Sequence, residues 1–148
     1  MARTFLAVCL VFPWLALPLL SAGAQEGSVG PNAGSEPPLI VELSEDGIQR
    51  AAITLDSYFF RPNQLVVKAG YPVEFVLTSE TIITPHNFVL KEPTAGLQID
   101  ESVGAGDSVS VRFTPTQSGI FTFYCDKKLL FFPSHREEGM EGILEVRE

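Results

Sequence analysis

SVSVRFTPTQSGIFTFYC, residues 108–125, is the stretch that decides the fold. Apolar and polar side chains alternate on both sides of a turn that contains Pro115 and Gly119. The apolar positions are Val109, Val111 and Phe113 before the turn, and Phe121 and Phe123 after it. A period of two predicts strands that bury one face, and the turn residues predict that the chain reverses between them.

Further short apolar segments occur on both sides of this stretch. They occupy residues 39–43, 51–55, 65–67, 73–77, 86–90 and 143–146, and Gly and Pro punctuate the sequence between them. This pattern predicts an all-β domain over residues 39–148, a Greek-key sandwich or barrel of about seven to eight strands. Helix signals are weak, although residues 45–52 could form one short helical turn.

The N-terminus has the features of an export signal. Arg3 precedes an almost wholly apolar run at 5–20, and Ala22-Gly23-Ala24 has the small-x-small pattern of a cleavage site. We predict a signal peptide at 1–24 that is removed, leaving an exported or periplasmic soluble protein without a membrane span. Retention of this segment as a membrane anchor is the alternative. Residues 25–38, rich in Gly, Ser, Pro and Glu, are predicted to be a flexible linker.

The charge balance excludes one class of partner. The chain has 18 acidic and 10 basic residues, and a formal net charge of −8. Removal of residues 1–24 takes away Arg3 and no acidic residue, so the mature chain is one unit more acidic. Nucleic acid is therefore not expected as a partner, because phosphate binding needs a basic surface.

The side chains that are expected to carry chemistry belong to residue types that are rare in this sequence. Without residues 1–24 the chain retains one cysteine, Cys125, one methionine, Met140, and two histidines, His86 and His135. Two imidazoles and a thiolate with a weak thioether donor form the ligand set of a mononuclear electron-transfer copper site. Phe121, Phe123 and Cys125 share one strand face by period two, so the thiol is expected beside the core at the end of a strand.

Three motifs resemble the cupredoxins, the family of small blue copper proteins that includes plastocyanin and azurin. They are PHNF at 85–88, GIFTFYC at 119–125, and the C-terminal pattern His135-x4-Met140-Glu-Gly-Ile. The resemblance implies that one copper ion, cycling between Cu(I) and Cu(II), is bound by His86, Cys125, His135 and Met140. It also implies that Asn87, with Pro85 beside it, supports this site by tying two ligand loops together.

One loop departs from the family pattern. Nine residues, 126–134, separate Cys125 from His135, whereas family members usually have two to four. Within this loop Leu129, Leu130, Phe131 and Phe132 either add to the core or form an exposed patch for partner docking. Asp100 and Glu101 could offer oxygen ligands in principle, but a polar turn is the favoured interpretation.

The predicted function is one-electron transfer between redox partners, such as a c-type cytochrome or an oxidase. Copper handling, meaning sequestration, delivery or tolerance, is the alternative, although the sequence has no Met- or His-rich tract. We do not expect an enzyme, because both histidines are already used at one site.

Overall fold

The computed structural model describes residues 36–148 and shows a purely β fold with one short 3-10 turn at Pro93–Ala95. The predicted signal peptide and residues 25–35 of the predicted linker lie outside the described residues. The strands are β1 (Leu39–Ile40), β2 (Gln49–Asp56), β3 (Phe59–Arg61), β4 (Gln64–Lys68), β5 (Val73–Ser79), β6 (His86–Glu92), β7 (Leu97–Val103), β8 (Ser108–Phe113), β9 (Gly119–Tyr124) and β10 (Glu141–Arg147). The all-β sandwich prediction is confirmed, with ten strands instead of seven to eight, because β3 and β7 lie outside the apolar segments that the sequence indicated.

Two sheets form the sandwich. One has the order β1-β4-β10-β9-β6-β7, and the other has the order β3-β2-β5-β8. β9 runs antiparallel to both β10 and β6. The end of β9 and the starts of β6 and β10 therefore lie at the same edge of the larger sheet. Because β4 and β1 run parallel to β10, the described chain also enters the domain at this end.

Aromatic side chains fill the core behind that end. The Phe88 and Phe123 rings stack with centroids 4.9 Å apart, and Phe60 meets the Phe123 ring edge-on at 5.1 Å. Gly142 lies across from Phe123, where a Cβ atom would overlap the Phe123 ring. These contacts fix the position of Phe123 and hence of Cys125, two residues further along the same face. The predicted core-facing alternation of this strand is confirmed, because Phe123 and Cys125 are fully buried and Phe121 packs against the core.

Two local expectations were wrong. Residues 45–52 form a turn followed by the start of β2. The side chain of Gln49 forms two hydrogen bonds with the backbone of Lys68, and these bonds hold the segment in the sandwich. Asp100 and Glu101 lie in β7, a strand that the sequence did not indicate, instead of in a polar turn. Pairing along the whole length of β6 stabilises β7 despite its acidic residues.

Candidate metal centre

Three of the predicted ligand residues converge at the edge where β6 starts and β9 ends. His86 Nδ1 lies 3.2 Å from His135 Nδ1 and 3.9 Å from Cys125 Sγ, and His135 Nδ1 lies 3.3 Å from Cys125 Sγ. All three side chains are buried, with His86 and Cys125 fully so and His135 7% exposed. His86 lies almost forty residues before Cys125 in the sequence, yet its imidazole, the Cys125 thiol and the His135 imidazole meet at one point.

The triangle formed by these three atoms fits a metal ion. A point about 2.0 Å from each corner lies inside it, against usual metal–nitrogen distances of about 2.0–2.1 Å and metal–thiolate distances of about 2.3 Å. A cation at this point would accept a lone pair from each of the three donor atoms, whereas one shared proton would satisfy a single contact. Two imidazoles and a thiolate in trigonal arrangement are the donors that favour copper.

Burial sets the protonation of the three donors. Desolvation, assisted by the neighbouring His135, lowers the pKa of His86 to about 4, and desolvation also lowers the pKa of His135. Both imidazoles are therefore neutral at pH 7 and can donate a lone pair. Burial raises the pKa of the Cys125 thiol, although the Asn87 N–H opposes the shift. Metal binding must consequently displace the thiol proton.

Met140 lies beside these residues. Its side chain is fully buried, its N–H donates to the carbonyl of His135 at 2.8 Å, and its carbonyl accepts from the N–H of Cys125 at 3.1 Å. The backbone thus links the three C-terminal ligand positions directly. That its thioether is the axial ligand stays a prediction.

Asn87 connects the first histidine to the segment that follows Cys125. Its N–H points at Cys125 Sγ at 3.4 Å, and its side-chain oxygen accepts from the N–H of Asp126 at 3.1 Å. Its amide nitrogen donates to the carboxylates of Asp126 at 2.8 Å and Asp100 at 3.2 Å. Lys91 in turn pairs with Asp100 at 3.0 Å. The sequence indicated the role of Asn87 but not these two carboxylates, since only tertiary pairing brings them to the amide.

The long loop closes on itself before it reaches the second histidine. The N–H of His135 donates to the carbonyl of Lys127 at 2.8 Å, so residues 128–134 form an excursion that begins and ends at one point. Ser134 and Glu137 bond each other as a capping box, with the Ser134 N–H donating to the Glu137 carboxylate at 2.7 Å. His135 thus reaches the thiol despite the nine intervening residues.

The surface above the site is apolar. Leu129, Leu130, Phe131 and Phe132 are 54–85% exposed, and Ile82 and Ile83, in the loop before His86, are 92% and 87% exposed. The docking role of the first four stays a prediction. Sequence analysis missed the two isoleucines, although an apolar pair in a loop was a signal. It also missed Tyr58, whose ring meets His135 edge-on at 5.1 Å. Pro85 lines a hollow beside this surface, and its supporting role also stays a prediction.

Two hollows flank His135. One of about 190 Å³ is lined by Ile83, Pro85, Lys127 and Leu129, among others. The other, of about 260 Å³, is lined by Tyr58, Leu129, Phe132 and Glu138 with their neighbours. His135 itself lines both hollows, so it lies close to the surface although it is only 7% exposed.

Comparisons with known proteins agree with this fold. The family model of the cupredoxin-like domain matches residues 8–136, a span that includes His86, Cys125 and His135. No curated protein matches the chain in sequence. Among residues 36–148 there is no helix with the length and apolar character that a bilayer crossing requires.

Solved structures share the fold. The metal-binding domain of the Cu(I)-exporting P-type ATPase CopA of Streptococcus pneumoniae D39, with Cu(I), is 22% identical, with a TM-score of 0.61 over 78% of this chain and all of that one. Auracyanin A of Chloroflexus aurantiacus, described as a "blue" copper protein, is 20% identical, with a TM-score of 0.52 over 68% and 100% of the two chains. Reduced auracyanin of Roseiflexus castenholzii is 20% identical, with a TM-score of 0.54 over 67% and 97%.

Proposed function

Because the chain belongs to the cupredoxin-like domain family and carries a site for a single copper ion, we propose that it is a one-electron carrier between redox partners. The observation that carries the proposal is the triangle of donor atoms formed by His86, Cys125 and His135. When bound there, copper supplies a one-electron couple between Cu(I) and Cu(II). Among residues 36–148, the side chains placed as a metal site are those of His86, Cys125 and His135, which form a single centre.

Rigidity of the cage supports electron transfer. The backbone bonds from His135 to Lys127, from Met140 to His135 and from Cys125 to Met140 hold the C-terminal ligand segment at three points. The Asn87 side chain ties that segment to β6. A cage whose donors are held before the metal arrives changes little between oxidation states, and this favours fast exchange of one electron.

We further propose that the protein works outside the cytoplasm and exchanges electrons with a redox protein such as a c-type cytochrome or an oxidase. The predicted signal peptide supports export. Copper handling remains the second candidate. The observation that favours it is the similarity in fold to the metal-binding domain of a Cu(I) exporter.

A spectroscopic titration tests the copper site, and kinetics separate the two candidates. Addition of Cu(II) to the purified protein should give an intense visible charge-transfer band that Cys125→Ser abolishes. A colourless protein that binds copper weakly would contradict the electron-transfer proposal. Stopped-flow mixing with a reduced c-type cytochrome should then show rapid oxidation of the cytochrome. Slow exchange together with very tight Cu(I) retention against a competing chelator would favour handling.

A further inference from the structure

We propose that the copper end of this protein docks on a lipid membrane through the exposed side chains of two loops. The lipid-docking surface consists of Ile82, Ile83, Leu129, Leu130, Phe131 and Phe132. Their exposed fractions run from 54% to 92% and amount to roughly 900 Å² of residue surface, backbone atoms included. The largest contiguous apolar patch of a typical monomer covers about 300–600 Å². This proposal goes beyond electron transfer and does not depend on it.

The shape of the second loop is the first argument. The Phe132 N–H donates to the Leu129 carbonyl at 3.0 Å, so Leu129–Phe132 is a tight turn with Leu130 and Phe131 at its tip. Leu130 has a φ of 51°, a left-handed conformation that favours glycine or asparagine. The Phe131 and Phe132 rings stack on each other, with centroids 4.9 Å apart, and not on the core. Folding alone favours polar residues at this tip, so two large apolar side chains there indicate a function.

The chemistry of the six side chains favours lipid over protein. A protein interface of this area carries roughly five to nine hydrogen bonds, at about one per 100–200 Å². The six side chains offer no hydrogen-bonding group, and apolar side chains that insert at the boundary between lipid headgroups and acyl chains need none. The loops also project as tips, and tips can enter a fluid surface that has no matching cavity.

Local charge fits a bilayer surface as well. Residues 126–138 contain three acidic residues, Asp126, Glu137 and Glu138, and three basic residues, Lys127, Lys128 and Arg136. This segment is thus balanced in charge although the chain as a whole is acidic. Lys127 and Lys128 lie directly before the apolar tip, where their ammonium groups would reach phosphate headgroups. Binding through apolar insertion should need no anionic lipid and should resist salt.

The direction of β1 indicates that the chain before it approaches from the side of the copper end. β1 runs parallel to β4 and β10, and Leu39 is level with Leu144 and Phe121. Residues 25–35 would span about 18 Å if they behave as a flexible linker. If the apolar segment 5–20 is retained as an anchor, it therefore holds the lipid-docking surface near the bilayer. If it is removed, the surface itself provides the attachment.

A tryptophan reporter tests this directly. Trp14, the one tryptophan of the chain, belongs to the predicted signal peptide. In metal-free Phe131→Trp protein, phosphatidylcholine vesicles should shift the emission to the blue, and brominated lipid should quench it at least twofold. Ile120→Trp is the matched control, because Ile120 is 73% exposed but lies at the opposite end of β9. Equal responses of the two variants, or no response at position 131, would overturn the proposal.

Loss of binding provides the second test. Leu130→Ser combined with Phe131→Ser should weaken partition to the same vesicles at least tenfold, whereas Ile120→Ser should change it less than twofold. The copper absorption band of each variant verifies the fold. If the unmodified protein forms a dimer that this double substitution dissociates, and shows no vesicle binding, the occupant is a second copy and the lipid proposal is wrong. Binding that requires anionic lipid and disappears in salt would also contradict it.

Discussion

The excursion at residues 128–134 should be removable without loss of the copper site. Its two ends already meet, because the His135 N–H bonds the Lys127 carbonyl at 2.8 Å. Replacement of residues 128–133 by one glycine gives the sequence Lys127-Gly-Ser134-His135. In this four-residue β-turn the first carbonyl accepts from the fourth N–H, so the same hydrogen bond is kept. Ser134 remains in place to cap Glu137.

The expected gain in stability comes from loop entropy and from the turn at Leu130. Shortening the segment between Lys127 and His135 from seven residues to two reduces the closure cost by about 1 kcal/mol. Removal of the left-handed Leu130 adds about 1 kcal/mol. The free energy of unfolding of the metal-free variant should therefore be about 1–2 kcal/mol higher than that of the unmodified protein. This corresponds to a rise in Tm of roughly 4–10 °C for a domain of this size.

Urea denaturation of the metal-free protein measures the stability, and the copper absorption band measures the site. A variant of unchanged length, with residues 128–133 replaced by Gly and Ser, is the matched control. It removes the same side chains but keeps the loop, so its difference from the shortened variant isolates the closure entropy. A folded short variant that has lost the band, or a drop in stability, would show that the excursion holds His135 in place and would refute the reasoning.

The remaining predictions concern the copper site. Met140→Leu should retain copper but raise the reduction potential, since a soft axial donor is lost; an unchanged potential would show that Met140 is not a ligand. Asp126→Asn should also raise the potential, by less than the 59 mV that corresponds to a tenfold change, because it removes a negative charge near Cys125 and keeps the bond to Asn87. Glu92→Gln, about 20 Å along β6 from His86, is its control and should leave the potential unchanged. Since burial lowers the pKa of His86 to about 4, the metal-free protein should lose stability as pH falls from 6.5 towards 4, where only the unfolded chain is protonated at this residue. Denaturation curves should show a smaller loss in His86→Asn, and parallel curves would contradict this assignment.

The sequence by itself determined the fold class and the composition of the site. Period-two alternation in 108–125 requires a strand with one buried face whatever its partners are, so an all-β sandwich follows from local pattern. The choice of copper donors likewise follows from residue type. Once residues 1–24 are set aside, His86, Cys125, His135 and Met140 are the histidine, cysteine and methionine side chains that remain.

The strands that sequence analysis missed are those that depend on partners. β7 carries Asp100 and Glu101, whose charges argue against a strand, and the pairing with β6 overrides this preference. The helical turn predicted at 45–52 failed for the same reason, because the Gln49 side chain bonds the backbone of Lys68 in the facing sheet. Local propensity amounts to a few tenths of a kcal/mol per residue, and a full set of inter-strand hydrogen bonds outweighs it.

Only the tertiary structure decided the geometry around the donors. The nine residues after Cys125 depart from the family pattern, and the hydrogen bond between His135 and Lys127 closes this loop and leaves a triangle of donor atoms that fits a metal. The tertiary structure also brings Ile82 and Ile83 to the same surface as the loop that follows Cys125. Contacts between segments almost fifty residues apart depend on strand order, and no local pattern encodes which strand ends will meet.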